Sequence, residues 1–145
     1  MRSHYAELTI ETTRNFEIIN VTGRLREVIA QSGIREGLAT VQALHTTVAL
    51  TVNEDEERLR RDIENWFLSI APPEAKWLHN DIHLRDCPPD EPENAHAHII
   101  QMLLGQAQTL IVHEGAPALG TWQSLLMVEL DGPRTRRLAV QVLGV

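Results

Sequence analysis

Seven histidines, His4, His45, His79, His83, His96, His98 and His113, are the main chemical resource of this chain. Neutral imidazole is the commonest metal ligand and the natural acid–base group near neutral pH. Most single histidines in a domain are structural, so position has to decide which matter. His45 opens a β-rich stretch in which Thr47, Ala49, Thr51 and Asn53 share its face. That face is small and polar and suits the floor of a pocket, while Val48, Leu50 and Val52 face the other way. A solvated sheet face accounts for the pattern equally well. His98 falls in the apolar stripe Ala95, His98, Ile99, Met102 and Leu103 of a helix that Asn94 can cap. A histidine in such a stripe is either satisfied structurally or coordinating something. His96 lies about 200° around the same helix, so the two cannot chelate from one face, and His96 is expected to be exposed. His79 sits in the loop segment Trp77-Leu78-His79-Asn80-Asp81, and His83 has no helix to bring it alongside.

Carboxylates and arginines form the second group. On the stretch from Leu119 to Leu130, Thr121, Gln123, Glu129 and Asp131 share one face with Leu125 and Met127. Trp122, Leu126, Val128 and Leu130 make the opposite, apolar face. Polar groups on so hydrophobic a strand must be wet, paired or liganding. Asp62 borders the apolar stripe of its helix beside Trp66, where it either orients a histidine or pairs with Arg58 or Arg61. Glu54, Asp55, Glu56 and Glu57 are accounted for by the dipole of the helix they begin. Arg134, Arg136 and Arg137 are where anion binding should be sought. With no GxSxG elbow and no Cys-His signature, a covalent nucleophile is not indicated. Scattered histidines with carboxylates fit a metal centre with an open coordination position.

The elements that must position these groups can be read from periodicity. Residues 6–12 alternate as a half-buried strand, and 16–19 form a short second one. A helix follows Asn20, with Val21, Leu25, Val28 and Ile29 as its stripe and Gly33 as its stop. Residues 38–44 and 47–52 read as β, or as one long strand. The clearest helix spans about 54–70 and ends at Pro72-Pro73. An irregular loop over about 74–93 precedes the Asn94 helix, and a loop of that length is usually functional. Strands at 109–113, 119–130 and 136–143 complete the set, the last two joined by Asp131-Gly132-Pro133, a strong hairpin signal. Strands dominate and short turns join the late ones. This predicts a single α+β domain: an antiparallel sheet or sandwich with a few packed helices.

Bulk properties narrow the function classes. A chain of 145 residues can bury one self-sufficient core. Its net charge of −7 disfavours nonspecific binding to nucleic acid or an anionic membrane. No apolar run approaches the roughly 18 residues of a spanning helix. No GxGxxG or P-loop pattern supports nucleotide binding. The lone Cys87 has no partner for a disulfide or a CxxC site and reads as a surface thiol. The N-terminal residues lack a signal-peptide core, so the expected compartment is the cytoplasm.

Several segments, taken in order, resemble the YjbQ family. They are Leu44-His45-Thr46-Thr47-Val48-Ala49-Leu50-Thr51-Val52-Asn53-Glu54, Asp62, Trp77-Leu78-His79-Asn80, Asn94-Ala95-His96-Ala97-His98-Ile99 and Leu103-Leu104-Gly105. Leu119-Gly120-Thr121-Trp122-Gln123 and Glu129-Leu130-Asp131-Gly132-Pro133-Arg134 complete the match. The resemblance covers nearly the whole chain, departing mainly at 82–93, and implies an α+β fold on an antiparallel sheet, assembled as a homotrimer. It implies a divalent metal held by His45, His79 and His98, with zinc favoured by the ligands and magnesium by a pyrophosphate substrate. It further implies a thiamine-phosphate synthase activity, joining a pyrimidine pyrophosphate to a thiazole phosphate. On that reading Thr47, Asn94, Trp122, Gln123, Arg134 and Arg136 bind the phosphorylated substrate, and Asp62, Glu129 and Asp131 take the catalytic roles. A metal-dependent hydrolase and a non-catalytic anion-binding protein are the competing expectations from the same residues.

Overall fold

A computed structural model describes all 145 residues. In chain order the strands and helices are β1 (Arg2–Glu11), β2 (Glu17–Asn20), α1 (Thr22–Ser32), β3 (Gly37–Ala43), β4 (Val48–Asn53), α2 (Glu57–Ile70), α3 (Ala95–Leu104), β5 (Ala107–His113), β6 (Ala116–Pro117), β7 (Ser124–Glu129) and β8 (Thr135–Gly144). Two antiparallel sheets result, one of five strands in the order β1-β8-β3-β5-β6 and one of three in the order β2-β7-β4. The fold is α+β, as the periodicity indicates.

The layers explain the sequence pattern. Leu50, Leu125 and Met127 on one face of the small sheet pack with Val41, Leu138 and Val140 of the large sheet and with α1. Ala49, Leu126 and Val128 on its other face pack against Phe67 of α2 and Ala97 and Ile100 of α3. A strand buried on both faces needs no polar alternation, which is why β7 reads as a nearly continuous apolar run. The outer face of the large sheet is covered by no helix and exposes Leu38, Ile111 and Leu143.

Four expectations from the sequence are corrected. Asp131-Gly132-Pro133 does not close a hairpin, because β7 pairs with β2 and β4 in the small sheet while β8 pairs with β1 and β3 in the large one. Residues 38–44 and 47–52 are not one strand: β3 belongs to the large sheet and β4 to the small one, and the chain changes sheets at Leu44–Thr47. The strand expected from Leu119 begins only at Ser124, because Gln123 closes a turn on Gly120 through its amide and its side chain. The buried residues of α3 are Ala95, Ala97 and Ile100, whereas Ile99, Met102 and Leu103 of the expected stripe are exposed. His98 therefore lies beside the buried stripe rather than in it.

Candidate functional site

Two sheet-changing connections run side by side and make a pocket of about 720 Å³. One is Leu44–Thr47 between β3 and β4; the other is Leu130–Arg134 between β7 and β8. Main-chain bonds lace them together: the Leu44 amide donates to the Arg137 carbonyl, and the Leu130 amide to Thr47. His45, Thr47, His79, Asn94, His98, Asp131, Arg134 and Arg136 all line the cavity. These are eight of the twelve residues assigned to a site from the sequence.

The floor is a buried ion pair. Glu129 is 0% exposed and Arg136 is 3% exposed. Arg136 Nε donates to Glu129 Oε1 at 2.8 Å and its Nη2 donates to Oε2 at 2.6 Å. The same carboxylate accepts the Thr12 hydroxyl at 2.7 Å and the Leu130 amide at 3.0 Å. Glu129 is thus saturated with donors and does not border the pocket, so the catalytic role expected for it is corrected to a structural one. Gly132 is required beside it, since a Cβ there would collide with the Arg14 carbonyl and lie 2.9 Å from Glu129 Oε1. Arg136 Nη2 also donates to Thr47 Oγ1 at 2.9 Å. Asp131 holds Arg134 through a 3.0 Å bond and accepts the Asn94 amide group at 2.8 Å.

The wall carries the imidazoles. Ring centroids of His79 and His98 are 4.8 Å apart, edge to face. Their juxtaposition is set at the start of α3, where Asn94 occupies the capping position without its side chain making the capping bond. Asn94 turns to Asp131, and Asn80 Oδ1 accepts the Ala95 amide at 3.1 Å instead. Asn80 follows His79 directly, so capping α3 also fixes His79 against it. His45 Nε2 accepts the Arg137 amide at 2.9 Å. With that lone pair engaged, the three imidazoles share a pocket without closing on a common point. No group of three histidine, cysteine or carboxylate side chains stands ready as a metal cluster.

Besides Glu129, three expected site residues lie elsewhere. Trp122 is 73% exposed in the loop before β7, and Gln123 spends its side chain on that loop. Both sit at the Ser124 end of β7, roughly 17 Å along the strand from Glu129. Asp62 is exposed on α2, and neither of its expected partners takes it: Arg61 pairs with Glu57. His96, expected to be exposed, is half-buried and its Nδ1 is enclosed without a partner. Thr46, Glu91, Pro92 and Gln106, to which the sequence assigns no role, also line the cavity. The proline- and acid-rich loop at 82–93 was the available signal for Glu91 and Pro92.

Burial lowers the pKa of His45, His96 and His98; Arg136 adds to the effect at His45 and His79 at His98. A histidine held below its usual value of about 6.5 binds its proton more readily in the unfolded chain. Its neutral form's contribution to stability is therefore present above that value and is lost as pH falls toward the folded-state pKa. Lowering pH from about 7 to 5 is expected to reduce the melting temperature progressively. A double His96→Gln, His98→Gln variant should show a flatter profile; identical profiles would refute the assignment. His113 shifts the opposite way through Glu36, but both are on the surface.

The fold and its site define a two-sheet α+β protein with a histidine-lined polar pocket where the chain twice changes sheets. Residues 6–145 match the family described as UPF0047 protein YjbQ-like, and the chain belongs to that family. A UPF0047 protein of Methanothermobacter thermautotrophicus is 40% identical over 144 residues, covering 99% of this chain and 94% of the relative. The YugU protein of Bacillus subtilis is 32% identical, covering 94% of this chain and 97% of the relative. A crystal structure of a protein of unknown function from Sulfolobus solfataricus superposes with a TM-score of 0.89 at 33% identity, covering 99% of each chain. An uncharacterised Clostridium acetobutylicum protein gives 0.85 at 30% identity, covering 95% of this chain and 99% of its own. These matches correct the expected activity. The family is one of unknown function, and no thiamine-phosphate synthase activity is indicated for any of these relatives. No helix of the chain is long and apolar enough to cross a membrane.

Proposed function

We propose that the pocket is a divalent-metal centre serving recognition of a small phosphorylated metabolite, with His79 and His98 as anchoring ligands and His45 as the third. The observation that carries this reading is the 4.8 Å pairing of the His79 and His98 rings. Two imidazoles sharing one ion at metal–nitrogen distances of about 2.1 Å have ring centres roughly 5 Å apart. Burial favours the neutral forms of His45 and His98, which are the forms that ligate. His45 joins the set when its Nε2 gives up the Arg137 amide. Imidazole donors favour zinc over magnesium, whose preference is for oxygen. A bound ion would supply a Lewis acid beside an oxygen of the metabolite. Asn94, Thr47 and Arg134 border the same space and offer polar contacts to it.

We take the assembly to be a homotrimer and the compartment to be the cytoplasm. In support of the first, Leu38 pairs across strands with both Leu143 and Ile111, setting three exposed apolar side chains in one row on the uncovered sheet face. In support of the second, the one cysteine is free. The metal centre is tested by titrating chelator-stripped protein with cobalt(II). Visible absorption bands saturating at a single equivalent per chain, and displaced by zinc, are expected. Absence of both bands and binding heat would remove the proposal.

A further inference from the structure

Where Leu44–Thr47 crosses between the sheets, the main chain leaves a run of donors without acceptors. Ala43 and Leu44 donate to the carbonyls of Gln106 and Arg137, but the next three amides, of His45, Thr46 and Thr47, have no acceptor within the protein. All three residues line the pocket. Arg136 lines it too, with Nε and Nη2 committed to Glu129 and Thr47. Its Nη1 has no protein acceptor, and it is not among the enclosed orphan atoms, which are only His4 Nε2 and His96 Nδ1. Nη1 therefore reaches open space, and the space that Arg136 borders is this cavity.

We propose that the amides of His45, Thr46 and Thr47, together with Arg136 Nη1, form an oxyanion cradle that holds one phosphoryl group of the metabolite. Successive main-chain N–H groups in a turn make an anion-binding concavity. A guanidinium already fixed by a carboxylate presents its remaining donors in a set direction, without further ordering on binding. Glu129 balances the charge of Arg136, and Asp131 that of Arg134. The cradle consequently works through directed donors rather than a net positive field. Glu91, which also lines the cavity, opposes an extended polyanion, so a single compact phosphoryl group is favoured over a polyphosphate. The cradle rests on the pocket being a ligand site, but it needs no metal.

The test uses the full-length, isotope-labelled chain in chelator, titrated with inorganic phosphate and separately with acetate, while amide resonances are followed. Saturable shifts under phosphate, largest at His45, Thr46 and Thr47 and much smaller under acetate, are expected. Shifts that are uniform, centred elsewhere, or equal with acetate would overturn the cradle. Arg136→Lys keeps a cation for Glu129 but withdraws Nη1, and should weaken phosphate binding about tenfold, the loss of one charge-assisted hydrogen bond. Unchanged affinity in folded R136K would overturn the role of Arg136. If R136K does not fold, the amide map of the unaltered chain decides. Phosphate shifts at these amides in protein that takes up no cobalt would keep the cradle and remove the metal centre. Cobalt uptake with unmoved amides would do the reverse.

Discussion

Glu129→Ala is expected to cost about 3–5 kcal/mol of stability, the usual result of removing one partner from a buried ion pair. The loss exceeds that of an ordinary core truncation because of what is left behind. Arg136, 3% exposed, would keep its charge with no counter-ion, and the Thr12 hydroxyl and Leu130 amide would each lose one of two acceptors. Against a total stability of about 5–15 kcal/mol, such a loss leaves a marginal fold. Thermal or urea unfolding measures it. A change below about 1 kcal/mol would show that the pair does not hold the floor of the pocket. Replacing both Glu129 and Arg136 with apolar residues of similar volume is expected to restore much of the loss, since burying the ions carries its own desolvation cost.

His98→Ala is expected to weaken metal uptake by more than the roughly 10–100-fold that follows loss of an outer hydrogen-bond partner of a ligand. His98 stands on α3 at the pocket wall, paired edge to face with His79. Because it lies beside the Ala97–Ile100 stripe, its removal should leave the core packing in place. Cobalt titration and unfolding of the same variant separate the two roles. Retained stability with lost binding supports a ligand, and retained affinity refutes it. Asn80→Ala offers a graded companion: it releases the Ala95 amide and with it the register of His79, while removing no imidazole.

The fold class was legible because alternation and helical spacing are local properties; Asp131-Gly132-Pro133 marks a change of direction but not that the next strand joins the other sheet. Much of the pocket was legible too: His45, His79, His98, Asp131 and Arg134 all face it. Two kinds of information were not local. The break at Leu44–Thr47 separates strands of different sheets, and nothing in a run of β-forming residues says which sheet each half will join. Glu129, conversely, is left by its apolar strand as wet, paired or liganding, and only the resemblance implies a catalytic role for it. Its partner lies seven residues away, beyond the connection that carries the chain from one sheet to the other, and only the closed structure shows it fully paired. Trp122 and Gln123 entered the site only through the resemblance, and the turn that holds them ahead of β7 interrupts a strand pattern that alternation alone carries through.

The double burial of β7 also bears on the unfolded chain. Leu125-Leu126-Met127-Val128 is a run of four apolar residues without charge, proline or glycine, the composition that drives cross-β association when exposed. In the native protein β2 and β4 occupy both of its edges. Before folding, protection falls to the charges just downstream, Glu129, Asp131 and Arg134, which act as gatekeepers against self-association. Glu129 therefore serves the chain in two states: neutralising Arg136 once the sheets close, and keeping the strand from pairing with copies of itself until they do.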